Sequence, residues 1–472
     1  MKAGMTLRSM TLGLLLAAAA QAGATATADE AAKLGGELTP VGATAAGNKD
    51  GTLPEWTGPK NFPDEMKAWT PKVLEDMRKQ DPAKLEAEFR KFLSEDVQKV
   101  VLTITPQNMA QYADKLTEGQ KAMLKAYPDY KIPVYKTVRT AYYPDEIYKW
   151  TRINATKAHL EGTDSVKDAH LGFPFPIPKS GAEVIWNHKL KFRGSAARRY
   201  NNQAIVKADG SYVITKLIED VKFKYGNLGD PADLAKSPVM LYYLSETISP
   251  PRVAGQMTLV HESADASEGG RLAWIYQPGL GRVNRAPDVG YDNPAVGTDN
   301  EQYNDQVDVF NGALDRYNWK LVGKKEMYIP YNSLQINSPR VKYKDILRPY
   351  HINQDLARYE LHRVWIVEAT LKPGLRHNFA RRVFYVDEDS WSIAAVDCYD
   401  ARDQLWKVQE AHLITAPFVP TVTGVPELIY DLQSKRYFAT AMQNEDNITD
   451  FKIDFPDSYF DPANLKRKAR SK

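Results

Sequence analysis

Between about residue 200 and residue 442 the chain carries about ten short stretches in which apolar and polar side chains alternate, separated by turns. A period of two is the signature of a strand with unlike faces, and no helical pattern intervenes to carry parallel crossovers. Consecutive strands joined this way pair antiparallel, so the class implied is α+β with one large antiparallel sheet rather than a doubly wound fold. The clearest hairpin is Ala208-Asp209-Gly210-Ser211 between QAIVK and YVITKLI. Further strands are predicted over 239–248, 255–263, 271–276, 324–331, 362–371, 381–388, 391–400, 404–414 and 427–442. In RLAWIY, Leu272, Trp274 and Tyr276 share a face; in WSIAAVDCYD, Trp391, Ile393 and Ala395 do.

Helical signals lie upstream. Asp81 can cap a helix with Pro82 at its first position, and Leu85, Phe89, Leu93, Val97 and Val101 form a stripe, so a helix is predicted over 82–104. A second is expected between Thr105-Pro106 and Pro128, with Met109, Tyr112, Ala113 and Leu116 on one face. FPFPIPKSGAEVIWNHKLKFRG (173–194) carries two patterns at once. Ser180 and Glu183 fit a capping box and Gly194 a stop, whereas Val184, Trp186, His188, Leu190 and Phe192 alternate as in a strand. The agreement of start and stop favours the helix.

The first residues have the pattern of a secretory signal peptide: basic Lys2 and Arg8, an apolar run from Met10 to Ala20, then small residues. Ala26-Thr27-Ala28 before Asp29, or the slightly earlier Ala22-Gly23-Ala24, would be the cleavage motif. A periplasmic location is therefore expected. Cys398 is the only cysteine, so neither a lipoprotein anchor at the cleavage site nor an internal disulfide is available. Such a leader takes away two of 62 basic residues and none of 59 acidic ones, leaving a near-neutral chain that argues against nucleic acid as principal partner. The closing Lys466-Arg467-Lys468-Ala469-Arg470-Ser471-Lys472 reads as a solvated basic tail, and Asn48-Lys49-Asp50-Gly51-Thr52 as a turn rather than a calcium loop.

No catalytic or cofactor fingerprint is present. The histidines (159, 170, 188, 261, 351, 362, 377 and 412) include no pair at metal-ligand spacing, and Gly-x-Ser-x-Gly, the P-loop and the dinucleotide motif are missing. No metal and no cofactor are expected. Asp387-Glu388-Asp389-Ser390 clusters three acids, but its place between two strands reads as a hairpin turn. Ser180, Glu183 and His188 cannot act as a triad: Ser180 and His188 would lie about 12 Å apart on a helix and about 26 Å apart on a strand.

LTPVGATAAGNKDGTLPEWTG, NMAQYADKLTEGQKAMLKAYP, FPFPIPKSGAEVIWNH, VFNGALDRYNWKL and RRVFYVDEDSW resemble the signature blocks of one bacterial family, domain of unknown function 1329, which is placed among LolA-like, outer-membrane-lipoprotein-sorting folds. The resemblance runs from about residue 35 to the C-terminus; Pro59-Lys60 stands where a second glycine is usual. It implies an unclosed barrel of about ten or eleven curved antiparallel strands, with covering helices and an N-terminal helical extension. The implied divisions are a signal peptide (1–28), an irregular and helical extension (29–172), the half-barrel (173–442) and a C-terminal segment (443–472). It also implies a non-enzymatic carrier or receptor for lipid, lipoprotein acyl chains or another hydrophobic ligand. Such a carrier would work beside an inner-membrane transporter of the resistance–nodulation–division class and an outer-membrane protein. On that reading Trp186, Tyr242, Leu272, Trp274, Tyr276, Trp365, Phe384 and Trp391 would line the cavity, and the N-terminal segment with the helices at 82–127 would form a lid. The alternatives are an envelope assembly module that binds a protein, and a hydrolase of apolar substrates.

Overall fold

The computed structural model describes residues 25–266, 270–286 and 291–470, so most of the expected signal peptide lies outside the described residues. The strands in chain order are β1 Val100–Ile104, β2 Ile132–Tyr135, β3 His159–Glu161, β4 Ser165–Lys167, β5 Ala196–Val206 and β6 Tyr212–Lys222. There follow β7 Val239–Ser249, β8 Met257–Ser263, β9 Leu272–Gln277, β10 Arg282–Arg285, β11 Tyr317–Pro330 and β12 Tyr359–Leu371. The last are β13 Arg381–Asp387, β14 Ile393–Tyr399, β15 Leu405–Ala416, β16 Thr421–Asp431 and β17 Arg436–Met442.

Fifteen of these form one open sheet in the order β1-β2-β12-β13-β14-β15-β16-β17-β5-β6-β7-β8-β9-β10, with β11 paired along β12; β3 and β4 make a separate hairpin. All neighbours are antiparallel except one parallel step, Tyr359 beside Val134, so the sheet is mixed and larger than predicted. The turn at 208–211 closes the β5–β6 hairpin as expected, with Gly210 at φ 82° and Lys207 N–H donating to Ser211 O at 3.0 Å. The stretch 427–442 is two strands, not one, because the chain reverses at 432–435, where Lys435 takes a φ of 58° without any glycine to announce it.

Two helix predictions are corrected. The stripe over 82–104 is helical only as Pro82–Arg90; Val100 onward joins the sheet edge as β1 against β2. The run Val-Val-Leu-Thr-Ile favours an extended chain, and β-branched side chains lose rotamer freedom in a helix. The second helix splits into a 3-10 segment, Met109–Lys115, and a capped α-helix, Glu118–Ala126, where Thr117 and Gln120 form a reciprocal box. The expected extension at 29–172 thus supplies two strands of the main sheet.

The 173–194 stretch resolves as a helix, Gly181–Lys189, capped by Ser180 Oγ accepting from Glu183 N–H at 3.3 Å; it ends at Leu190, ahead of the expected glycine stop, and Gly194 takes its φ of 82° in the chain beyond. Every residue of it is buried, which explains why no polar face shows in its sequence. It lies on the concave face against β11 and β12: a Cβ on Gly181 would meet Val367 Cγ1 at 2.8 Å and the backbone of Trp319 and Lys320 at about 3 Å. Val367, Phe384, Val396 and Phe310 pack in the same core.

The convex face is covered in two places. The Glu118–Ala126 helix sits over β14 and β15, where buried Asp397 accepts from Gly119 N–H (2.9 Å), Glu118 N–H (3.1 Å) and Tyr385 Oη (2.9 Å). The helix N-terminus is a natural seat for a carboxylate, though burial still pushes Asp397 up to about 6. The C-terminal residues form a helix, Pro462–Arg470, rather than a solvated tail; with Phe455 and Phe460, Leu465 covers Leu244, Met257 and Leu259.

The N-terminal segment is a strap. Gly42 crosses the proline clamp formed by Pro174, Pro176 and Pro178 so closely that a Cβ there would lie 1.9 Å from Pro176 O, and its φ is 96°. Gly42→Ala should therefore destabilise the protein by about 3 kcal/mol or more, combining a backbone clash with an unfavourable φ. Urea denaturation at neutral pH measures it; a loss under about 1 kcal/mol would show that the strap is not held at this crossing.

Candidate functional site

The Gly181–Lys189 helix fills only one half of the concave trough. The other half, bounded by β5 to β9 and β15 to β17, is a cavity of about 620 Å³. Strand alternation decides its lining: residues 197, 199, 201 and 203 of β5, 217, 219 and 221 of β6, and 241, 243, 245 and 247 of β7 face it, while their neighbours face the convex side. Leu85 and Phe89, from the Pro82–Arg90 helix, and Phe418 close one end. Phe89 stacks edge-on against Trp69 at 5.1 Å, and Leu85 packs with Trp69 and Phe418 in a separate small core. The Glu118–Ala126 helix, also expected in a lid, lies instead on the far face.

The lining is amphipathic. Leu217, Val221, Leu241, Val260, Ile275 and Phe310 offer apolar surface, and Ser245, Thr247, Thr258, Thr421, Thr423 and Thr440 offer hydroxyls. Charges on this floor occur in pairs. Glu219 accepts from Arg199 Nε (2.6 Å), Asn201 Nδ2 (2.9 Å) and Tyr243 Oη (2.8 Å), and Arg271 donates to Glu262 at 2.7 Å. Asp308 accepts from Lys191 (2.9 Å) and Arg193; burial opposes its ionisation, but these two cations hold it well below the usual carboxylate range. Glu427 differs: burial, reinforced by the Asp308 charge, pushes it up to about 7, and Val309 N–H donates to it at 3.3 Å.

None of the eight side chains expected to line the cavity does so. Trp186 is buried in the core, its indole N–H donating to Thr163 O at 3.0 Å with the Lys189 ammonium 4.4 Å above its ring. Tyr242, Trp274 and Tyr276 pack on the convex side with the C-terminal segment, Tyr242 stacking on Phe460 at 5.4 Å; Leu272 shares their strand parity. Trp365 stacks on Trp391 at 6.2 Å, Trp391 donates to Val41 O at 2.9 Å, and Phe384 meets Phe310 at 5.3 Å. For the four residues of β7 and β9 the difference is one of strand parity; Trp186, Trp365, Phe384 and Trp391 belong to the half of the trough that the helix and strap fill. The aromatic-rich face is the one the protein covers with its own chain, and the threonine-rich alternate positions face the cavity. The apolar residues of the C-terminal segment, Ile453, Phe455, Tyr459 and Phe460, were the signal that a second cover existed.

His188 is a structural residue. Its Nδ1 accepts from Ile393 N–H at 3.1 Å and its Nε2 lies 2.9 Å from Asp308 O, which defines a neutral tautomer; burial and Lys191 push it down to about 3. Ser180 serves the helix cap, so the two meet nowhere. The acidic stretch after β13 is a hairpin turn, as predicted, with Asp387 Oδ2 accepting from Ser390 Oγ at 2.6 Å. The turn also brings Asp387 and Asp389 to His362 of β12, and the three could together hold a metal ion, which their spacing in sequence did not reveal.

An open, curved sheet with an internal cavity and helices on both faces makes the molecule an α+β half-barrel. The chain belongs to the family described as "Protein of unknown function (DUF1329)", whose model matches residues 103–466. It is 44% identical over 455 residues to the uncharacterized protein PA3922 of Pseudomonas aeruginosa, covering 95% of each chain. Among solved structures it is similar to a DUF1329 family protein from Desulfovibrio piger, with 16% identity and a TM-score of 0.42 over 60% of this chain and 97% of that one. It is also similar to a LolA superfamily protein from Nitrosomonas europaea, with 11% identity and a TM-score of 0.37 over 60% and 97% of the two chains.

Glu427 gives the cavity a measurable pH signature. Because its folded value is raised above the ordinary 4.5, the folded state binds the extra proton, and stability falls as pH rises from about 4.5 through 7. Glu427→Gln is free of that loss. Between about pH 5 and pH 8 the variant should lose less stability than the parent by on the order of 2 kcal/mol, read from urea denaturation at both values. Equal losses would mean that Glu427 is ionised without cost.

Proposed function

We propose that this protein is a carrier or receptor for an amphipathic, lipid-like ligand of the bacterial cell envelope. The observation that carries the proposal is the cavity of about 620 Å³ on the concave face, within the roughly 300–1,000 Å³ typical of small-molecule sites. Its mixture of aliphatic side chains and hydroxyls suits a ligand with an apolar body and a polar part. No helix among the described residues is long and apolar enough to cross a membrane.

The physical logic is that of transfer. Each buried methylene contributes roughly 0.8 kcal/mol, so a sixteen-carbon chain would gain on the order of 12 kcal/mol, enough to make release slow. Desolvating the threonine hydroxyls and displacing Leu85 and Phe89 from their own contacts opposes that gain and leaves a ligand that can be handed on. The partners fitting this reading are an inner-membrane transporter of the resistance–nodulation–division class and an outer-membrane acceptor.

Protein purified from its native periplasm should carry a lipid or other amphiphile detectable by native mass spectrometry. Leu217→Trp, which fills the cavity from β6, should weaken a fluorescent fatty-acid probe tenfold or more at unchanged folding. A native preparation without ligand that also ignores the probe would sink the reading.

Export is part of the same proposal, and the N-terminus discriminates between the cleavage motifs. Thr27 and Glu30 cap a short helix reciprocally, and Ala26 N–H donates to Ala155 O at 3.0 Å. Cleavage after Ala28 would remove these contacts, whereas cleavage after Ala24 keeps them. N-terminal sequencing of the mature protein should begin at Thr25; a start at Asp29 would contradict this.

A further inference from the structure

Three acceptor atoms converge beneath the N-terminal strap. His362 Nδ1 lies 3.8 Å from Asp387 Oδ1 and 4.0 Å from Asp389 Oδ2, and one ligand atom from each of the three residues lies within 4.8 Å of the others. All three side chains are buried, at 1% exposure or less. The other ring nitrogen, Nε2, is 3.2 Å from Glu360 Oε2 and donates to that carboxylate, which leaves Nδ1 as a lone pair directed at two carboxylate oxygens. Tyr331 stacks on the ring at 3.9 Å and fixes its plane. Neither His362 Nδ1 nor Asp387 Oδ1 has a hydrogen-bond partner among the described residues. Unpartnered acceptors facing one another in a buried site are costly unless something positive lies between them.

The charges nearby point the same way. Glu360 pairs with Arg358 (2.6 Å), Glu388 with Lys324 (2.8 Å) and Asp389 with Arg139, which reaches Oδ1 at 2.7 Å and donates from Nε to Oδ2 at 2.9 Å, so that oxygen would be shared between the guanidinium and an ion. The Asp387 carboxylate accepts only from Ser390 among the described residues, so of four clustered carboxylates it alone lacks a cationic partner at this range. A point about 2.2–2.5 Å from all three ligand atoms fits within their triangle; zinc–imidazole and zinc–carboxylate bonds are roughly 2.0–2.2 Å, so a contraction of a few tenths of an ångström would close the site. The Glu360–His362 pair supplies the carboxylate that orients a metal-bound imidazole through its far nitrogen.

We propose that His362, Asp387 and Asp389 bind one divalent first-row transition-metal ion, Zn2+ or Mn2+ in character, with Glu360 as the positioning residue for the imidazole. The site is structural. Asp389 also holds Arg139, which donates to Thr44 O (2.7 Å), Ala45 O (3.0 Å) and Pro54 O (3.3 Å), so the ion ties β12 and the β13–β14 turn to the strap. Burial under the strap means that the ion enters before or during folding.

The test uses the full mature chain, unfolded with chelator and refolded in parallel with Zn2+, Mn2+ or Ca2+, then freed of excess metal by gel filtration. About one Zn2+ or Mn2+ per chain by elemental mass spectrometry, with a Tm above that of the chelated protein, is the expected result. Co2+ in the same site should give visible d–d absorption that Asp387→Asn and His362→Gln abolish, while Glu360→Gln weakens affinity roughly 10- to 100-fold. Refolded parent protein holding no metal, or Ca2+ alone, overturns the proposal, and so does Asp387→Asn binding the ion as the parent does. The metal count on the parent decides the matter even where a variant does not fold.

Discussion

The helix at Gly181–Lys189 is the constraint on which the rest of this molecule depends. A strongly curved sheet has a concave face that must be filled, and a helix buried along its whole length fills half of it. That placement is possible only because Gly181 lets the helix N-terminus touch the backbones of β11 and β12. It also forces four polar side chains, Glu183, Asn187, His188 and Lys189, into the interior, and each finds a partner there. Asn187 exchanges hydrogen bonds with the backbone of Phe175, and Lys189 donates to Gly312 O at 2.7 Å. Buried polar groups are tolerated when satisfied and expensive when orphaned, so the proline clamp and the 305–314 segment are held in place by the helix they serve.

From this follows the division of the trough. Where the helix stops, after Lys189, the chain leaves the concave face through Lys191 and Arg193, whose shared contact with Asp308 marks the end of the filled half. Beyond it that face is met only at one end, among the described residues, by the Pro71–Gln80 and Pro82–Arg90 helices, and the cavity is what remains. The paired charges on the cavity floor fit the same scheme: Arg199 with Glu219 and Arg271 with Glu262 sit on adjacent strands with their ionic groups mutually neutralised. Breaking one partner of such a pair leaves an uncompensated buried charge, which costs far more than the pair contributes.

The strands were readable because each of β5 to β9 and β11 to β15 keeps its alternation, and Asp209-Gly210 set the register of the first hairpin. The class of fold followed from that periodicity alone. What could not be read was which face is which. Alternation says that two faces differ, and both faces of this sheet are covered, one by its own chain and one across the cavity. The aromatic stripe of Tyr242, Trp274 and Tyr276 is as good a floor for the C-terminal segment as for a ligand, and nothing local separates the two. The helix at Pro82–Arg90 shows a related limit: spacing of four continued through Val97 and Val101, but β-branched residues at a sheet edge outweighed the stripe. The trio at His362, Asp387 and Asp389 was hidden for another reason. Its members are brought together by the pairing of β12 with β13, and His362 lies on β12 opposite the end at which the acidic turn begins.

The strap and the cavity make opposite demands on one fold. A site that loads and unloads a ligand, as proposed, would need an element of low local stability, and the Pro71–Gln80 and Pro82–Arg90 helices suit it: they pack through a few side chains and carry mostly exposed or half-buried surface. The strap needs the reverse. Gly42 against Pro176, Trp391 against Val41 O and Arg139 across Thr44, Ala45 and Pro54 fasten it at several points to the half of the trough that the helix fills. The Pro82–Arg90 helix is tied through Leu85 to Phe418 and Val419 after β15, in a small core that Trp56 and Phe62 of the N-terminal segment also enter. Under the proposed carrier reading, a cover of low local stability on a tightly fastened scaffold is the combination that loading and release require.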